Sequence, residues 1–152
     1  MNVHCDADFN NDLETSRSIT SVIALVFGNL VDWYLRRQKR VTNSTCHAEV
    51  LAIVDGAVEF IYYLRNKMKL RNFENVTLMN DNQSAIATVL ECDNFQSNKH
   101  YRRDVNLVRE LVTEGWLKLV YCQADDMLAD FLTKALVQVT EADYRKAAGM
   151  KH

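Results

Sequence analysis

Proline is absent from this chain, and only four glycines punctuate its 152 residues. Without proline there is no proline-rich spacer, and no low-complexity tract or internal repeat takes its place. The chain therefore reads as a single domain spanning 1–152, a length that suits one hydrophobic core. Long apolar runs are missing too. Nothing approaches the roughly 18 consecutive apolar residues that suggest a membrane span, so no membrane partner is expected. The N-terminus lacks a basic stretch followed by an apolar one, so no secretory signal is read. Neither sign of charge dominates. A net charge of −2 neither requires nor forbids a nucleic-acid partner, because a local basic face matters more than the sum. There is no CxxC. Cys5, Cys46, Cys92 and Cys122 lie far apart, which suits a reduced, intracellular protein. His4-Cys5 and Cys46-His47 hold zinc-binding residue types, but adjacent strand residues point to opposite faces. Packed thiols are the better reading.

What is present is an ordinary globular composition, 48% apolar and 25% charged, enough for a real core. Residues 2–6 read as a short strand ending on an acid. The β-branched run at 19–27 is a second strand, and Gly28-Asn29 a hairpin turn signal into a third at 30–37. Ser44 or Thr45 can cap a helix that runs from Cys46 to about residue 67. A strand at 75–80, a short helix after it, a loop at 93–100 and an amphipathic helix at 101–114 follow. Gly115 is placed to end that helix. A last strand covers 116–122. The stretch 125–136 reads as a buried helix, and 140–149 opens another with a capping-box-like Thr140-x-x-Asp143. Trp33 and Trp116 are expected in the core. An antiparallel meander followed by two strands that each arrive after a helix predicts a mixed α/β sheet with helices on its faces.

Four acids sit near element ends. Asp6 is expected to end the first strand, and Asp81 the fourth. Glu49 is expected in the first turn of the long helix, and Asp130 in the first half of the helix after the last strand. Each alone has a bland explanation as a cap or a dipole partner. If the first and fourth strands are neighbours, the four would meet at one sheet edge and repel unless divalent cations neutralised them. Oxygen-only ligation favours Mg²⁺ or Mn²⁺ over zinc. Two such ions form the clamp used in phosphodiester hydrolysis, one activating water and the other stabilising the leaving oxygen.

Six segments, in order, carry a family resemblance. "VHCDADF" resembles S-D-A-D-W, and "VDWYLRRQKRV" resembles I-S-W-x-S-K-K-Q-x-x-V. "STCHAEVLAI" resembles S-S-T-E-A-E-Y-x-A, and "NDNQSAI" resembles C-D-N-Q-S-A-I. "SNKHYRRDVNLVRELV" resembles T-K-H-I-D-I-R-Y-H-F-I-R-E-x-V, and "DDMLADFLTKAL" resembles E-D-Q-L-A-D-I-L-T-K-P-L. All six belong to the ribonuclease H domain of copia-type LTR retrotransposon Pol polyproteins, and the match covers about residues 2–137. The resemblance implies a ribonuclease H-like fold with a five-stranded mixed sheet in the order 3-2-1-4-5. It implies that Asp6, Glu49, Asp81 and Asp130 are catalytic and hold two Mg²⁺ ions, with Mn²⁺ as a substitute. Asp8 belongs to the same D-A-D motif, but the comparison points to Asp6 first. The implied reaction is hydrolysis of the RNA strand of an RNA–DNA hybrid during reverse transcription, leaving 5′-phosphate and 3′-hydroxyl ends. The implied setting is a polyprotein with a covalently linked reverse transcriptase, in the cytoplasm, a virus-like particle or the nucleus.

The chain departs from that pattern at Cys46-His47, at Ala135 and in the loop before Asp130, which has no histidine. Cellular ribonucleases H use a histidine there, so a slower enzyme is expected. A derelict or host-adopted domain that binds hybrid or a protein partner without cutting is the alternative. Lys99, His100, Arg102 and Arg103 are candidates for phosphate contacts, as is the run at 36–40. The cluster of Arg65, Lys67, Lys69 and Arg71 reads as solvated surface. Asn82, Gln83 and Ser84, just past Asp81, can either cap the next helix or bond the RNA strand, whose 2′-OH separates it from DNA.

Overall fold

The computed structural model describes residues 1–12, 15–66, 76–91 and 99–133. Three strands come first: β1 (Asn2–Asp12), β2 (Arg17–Val26) and β3 (Asn29–Arg37). Helix α1 (Thr45–Asn66) follows, then β4 (Val76–Asn80) and α2 (Gln83–Glu91). Helix α3 (Lys99–Thr113), β5 (Leu117–Tyr121), a 3-10 turn at Ala124–Asp126 and α4 (Asp130–Thr133) complete the described elements. The sheet order is β3-β2-β1-β4-β5. β1 pairs antiparallel with β2 and parallel with β4, as the order of strands and helices predicts.

The reasons are local. Ser44 Oγ accepts the His47 N–H at 3.1 Å, so Ser44 rather than Thr45 caps α1. Gly115 (φ +77°) ends α3, with Trp116 N–H bonded to Leu111 O at 3.0 Å and Gly115 N–H to Val112 O at 3.1 Å. That is the paired-bond ending in which glycine supplies the left-handed residue. Alternation along β1 and β2 sends Val3, Cys5, Val22 and Ala24 into the core cluster with Ala52, Ile53 and Ala57 of α1. Ser21 points to the opposite face and donates to Ala129 O at 2.7 Å, which ties the start of α4 to that side. Helix α1 lies close on the sheet because residue 56 is glycine. A Cβ there would stand 3.1 Å from Leu78 Cδ1.

Several expectations need correction. The hairpin turn is Phe27-Gly28, both at positive φ, and Asn29 already belongs to β3. Trp33 is not core: it is 56% exposed, because exposure alternates along β3 and Trp33 stands on its open face. Trp116 is half-buried against the core, as expected. The stretch 125–136 is not one helix; a 3-10 turn and a break precede α4, and residues beyond 133 lie outside the described ones, as does the helix expected at 140–149. No helix among the described residues is long and apolar enough to cross a membrane.

Candidate functional site

Asp6 does not end its strand, because β1 runs on to Asp12 against β2. What ends near Asp6 is the other ladder. The pairing of β1 with β4 stops at His4 and Met79, so Asp6 overhangs the point where the two strands part. Asp81 follows β4 rather than closing it, and Glu49 lies just past the first turn of α1, because the helix begins one residue earlier than expected. These small shifts leave the convergence intact. Carboxylate oxygens of Asp6, Glu49 and Asp81 all lie within 4.8 Å of one another. Asp130 begins α4 and falls outside that group. Its neighbour Ala129 is tethered to Ser21, which stands opposite Asp6 in the β1–β2 ladder. The start of α4 is thus held beside the site.

Glu49 and Asp6 are both buried, 6% and 5% exposed. Two donors hold Glu49 in place: Asn80 Nδ2–H bonds Oε2 at 2.8 Å and the Ala7 N–H bonds Oε1 at 3.3 Å. These bonds favour the ionised carboxylate, but they lose. Burial first, then the charges of Asp6 and Asp81, push the Glu49 carboxyl up to about 8. Burial first, then the charge of Glu49 and those of Asp6 and Asp81, raise the neighbouring Cys5 thiol. An all-oxygen donor set of like charges, crowded and partly desolvated, fits a hard divalent cation.

Asn80 is the residue that inspection of the sequence passes over. It is fully buried among the acids, and its Nδ2 also bonds Cys5 O at 2.9 Å. Its only signal in the sequence is a place beside Asp81 in an amide-rich cluster. Asn82 spends its side-chain oxygen on the Ala85 N–H at 3.0 Å, so it caps α2, while Gln83 and Ser84 are exposed. His47 turns away from the acids: Nδ1 meets Asn43 Oδ1 at 3.1 Å and the ring stands edge-on to Tyr101.

The chain is 28% identical, over 99% of its length, to the retrovirus-related Pol polyprotein from transposon RE2 of Arabidopsis thaliana. It spans about 10% of the length of the curated relatives it matches. No protein-family model matches it. RNase H1 from the archaeon Halobacterium salinarum superposes with a TM-score of 0.60 at 15% identity, covering 87% of this chain and 92% of that one. LC11-RNase H1, crystallised in complex with an RNA/DNA hybrid, gives 0.63 at 12% identity, covering 86% and 91%. The chain has the ribonuclease H fold and is similar over nearly its whole length to retrotransposon Pol polyproteins.

This ribonuclease H fold also carries a cluster of cations. Two basic segments remote in sequence meet in a groove of about 360 Å³ between the end of β3, α1 and α3. Arg36, Lys39, Arg40 and Arg103 line it. Asp104 takes Arg40 Nη2 at 3.2 Å and Arg103 Nη2 at 3.4 Å. Asp55 and Glu59 hold Arg36 at 3.2 and 3.0 Å. Arg102 is exposed on α3. The side chains of Lys99 and His100, and of Arg65, Lys67, Lys69 and Arg71, lie outside the described residues.

Proposed function

We propose that this chain is a divalent-cation-dependent endonuclease that cuts the RNA strand of RNA–DNA hybrids. The observation that carries the reading is the trio of carboxylates within 4.8 Å of one another on a ribonuclease H fold. Asp6, Glu49 and Asp81 would hold the cation, with Asp130 as a further ligand from α4; Mg²⁺ is the favoured ion and two ions the favoured number. When bound, such ions supply Lewis acidity that activates water and stabilises the leaving 3′-oxygen. The protein supplies rigid placement. Asp6 rides on a strand paired along β2, and Glu49 is clamped by Asn80 and Ala7. Arg36, Lys39, Arg40, Arg102 and Arg103 would meet phosphates of the hybrid, a role the sequence assigns to Lys99 and His100 as well, and the exposed Gln83 and Ser84 would contact the RNA strand. In the longer polyprotein a linked reverse transcriptase would deliver the hybrid.

Labelled hybrid incubated with the chain tests this reading. Mg²⁺-dependent cleavage that stops with EDTA is expected. Cleavage of neither strand at saturating Mg²⁺ contradicts it and favours a module that binds hybrid without cutting. The position of Asp130 outside the trio is the observation on that second reading's side.

The groove makes its own prediction. Asp104 is ion-paired with two arginines at once and offsets one of their two charges, so it competes with any phosphate that enters. Asp104→Asn should tighten hybrid binding several-fold and steepen the dependence of log affinity on log salt by about one unit. Fluorescence anisotropy in EDTA, at three or more salt concentrations, measures both. Unchanged affinity and an unchanged slope would remove the groove from the substrate path.

A further inference from the structure

We propose that Asn80 is a positioning residue that makes the acidic trio selective for a small octahedral cation over Ca²⁺. The inference rests on the metal-binding reading above and adds a determinant to it. Asn80 bonds all three segments that bear the acids. Its Nδ2 donates to Cys5 O on β1 at 2.9 Å and to Glu49 Oε2 on α1 at 2.8 Å. Its Oδ1 accepts the Asn82 N–H at 3.0 Å, closing the turn that presents Asp81. The position is where a tie is needed. The β1–β4 ladder has just ended at His4 and Met79, and the side-chain amide gives Cys5 O a donor as the strands part.

The consequence lies in the freedom of Glu49. Oε2 is fixed by Asn80 and Oε1 by the Ala7 N–H, so the carboxylate cannot swing without breaking a buried bond. Mg²⁺ wants ligands at about 2.0–2.1 Å in near-ideal octahedral array, whereas Ca²⁺ takes six to eight at about 2.3–2.6 Å, often through bidentate carboxylates. A carboxylate held at both oxygens, with one lone pair left on each and no freedom to swing, suits the first ion and handicaps the second, which needs the group to turn and widen around it. The tether is a feature of this chain. The motif that "NDNQSAI" resembles has cysteine at this position, and a thiol is only a weak donor.

Titration calorimetry of Mg²⁺ and Ca²⁺ into the intact chain, without nucleic acid, tests the proposal on Asn80→Leu and Asn80→Ser. Asn80→Ser keeps the fold testable if the bulkier apolar residue does not fit, since serine is small and too short to bridge Cys5 and Glu49. Mg²⁺ affinity should fall by about 10–100-fold, the usual cost of losing an outer-shell partner. Ca²⁺ affinity should fall much less, so the preference for Mg²⁺ collapses. A merely structural tie would weaken both ions alike, and that result overturns the proposal. So do variants that keep the wild-type preference. A wild-type chain that binds neither ion fails differently: it sinks the metal site itself.

Discussion

Asp81→Asn should lower the rate of hybrid cleavage by on the order of 10³-fold while leaving hybrid affinity in EDTA within about twofold. The amide keeps the size and shape of the side chain but removes the charge from one of three carboxyl groups that stand within 4.8 Å of one another. A cation in such a site contributes several kcal/mol of transition-state stabilisation, and about 1.4 kcal/mol is a factor of ten in rate. The backbone should change little, because the Asn82 N–H bonded to Asn80 Oδ1 closes the turn at residue 81. Single-turnover cleavage of labelled hybrid with saturating Mg²⁺, beside an anisotropy titration, separates the two effects. An Asp81→Asn chain that cuts at the wild-type rate would remove Asp81 from the site.

The second large effect is on stability, and Glu49 carries it. Its carboxyl is raised from 4.5 to about 8 by burial and by Asp6 and Asp81, so the folded chain holds this proton more tightly than the unfolded chain does. The contribution of Glu49 is therefore fully present below about pH 4.5, declines as pH rises, and is lost by about pH 8, where the folded form ionises as well. Mg²⁺ reverses the loss because it binds the ionised carboxylate. Its affinity should climb by up to about tenfold per pH unit until about pH 8 and then level off. The gain in melting temperature from Mg²⁺ should accordingly be larger at pH 8 than at about pH 6. Glu49→Gln should stabilise the metal-free chain at pH 8 by roughly 1–3 kcal/mol, since a buried charge among like charges is removed. The same variant should lose the Mg²⁺ gain and the cleavage together. Thermal melts across this pH range, with and without Mg²⁺, decide it. A Mg²⁺ gain that does not change with pH would contradict the raised Glu49.

Much of this architecture is legible in the residues. The β-branched run at 19–27 and the alternation into β3 mark a meander. The capped helix at Ser44 and the glycine at 115 mark where α1 starts and α3 stops. The convergence of Asp6, Glu49 and Asp81 follows once β1 and β4 are neighbours. Other features depend on partners that one strand's sequence does not reveal. Asp6 looks like a strand end because the polar stretch beyond it resembles a loop, whereas β2 keeps that stretch paired to Asp12. Trp33 looks like core because large aromatics bury area, but it lies on the exposed one of β3's two alternating faces. Residues 125–136 carry a helical apolar pattern, and periodicity does not register the break before Asp130. Asn80 has no pattern to betray it. Its importance comes from tertiary bonds to Cys5 and Glu49, remote in the chain.

The most direct measurement is anomalous diffraction from crystals of the chain soaked in Mn²⁺. The account predicts a peak bounded by the carboxylates of Asp6, Glu49 and Asp81, with Asp130 turned toward it. At saturating Mn²⁺, peaks confined to other surfaces, with none among those three side chains, would contradict it.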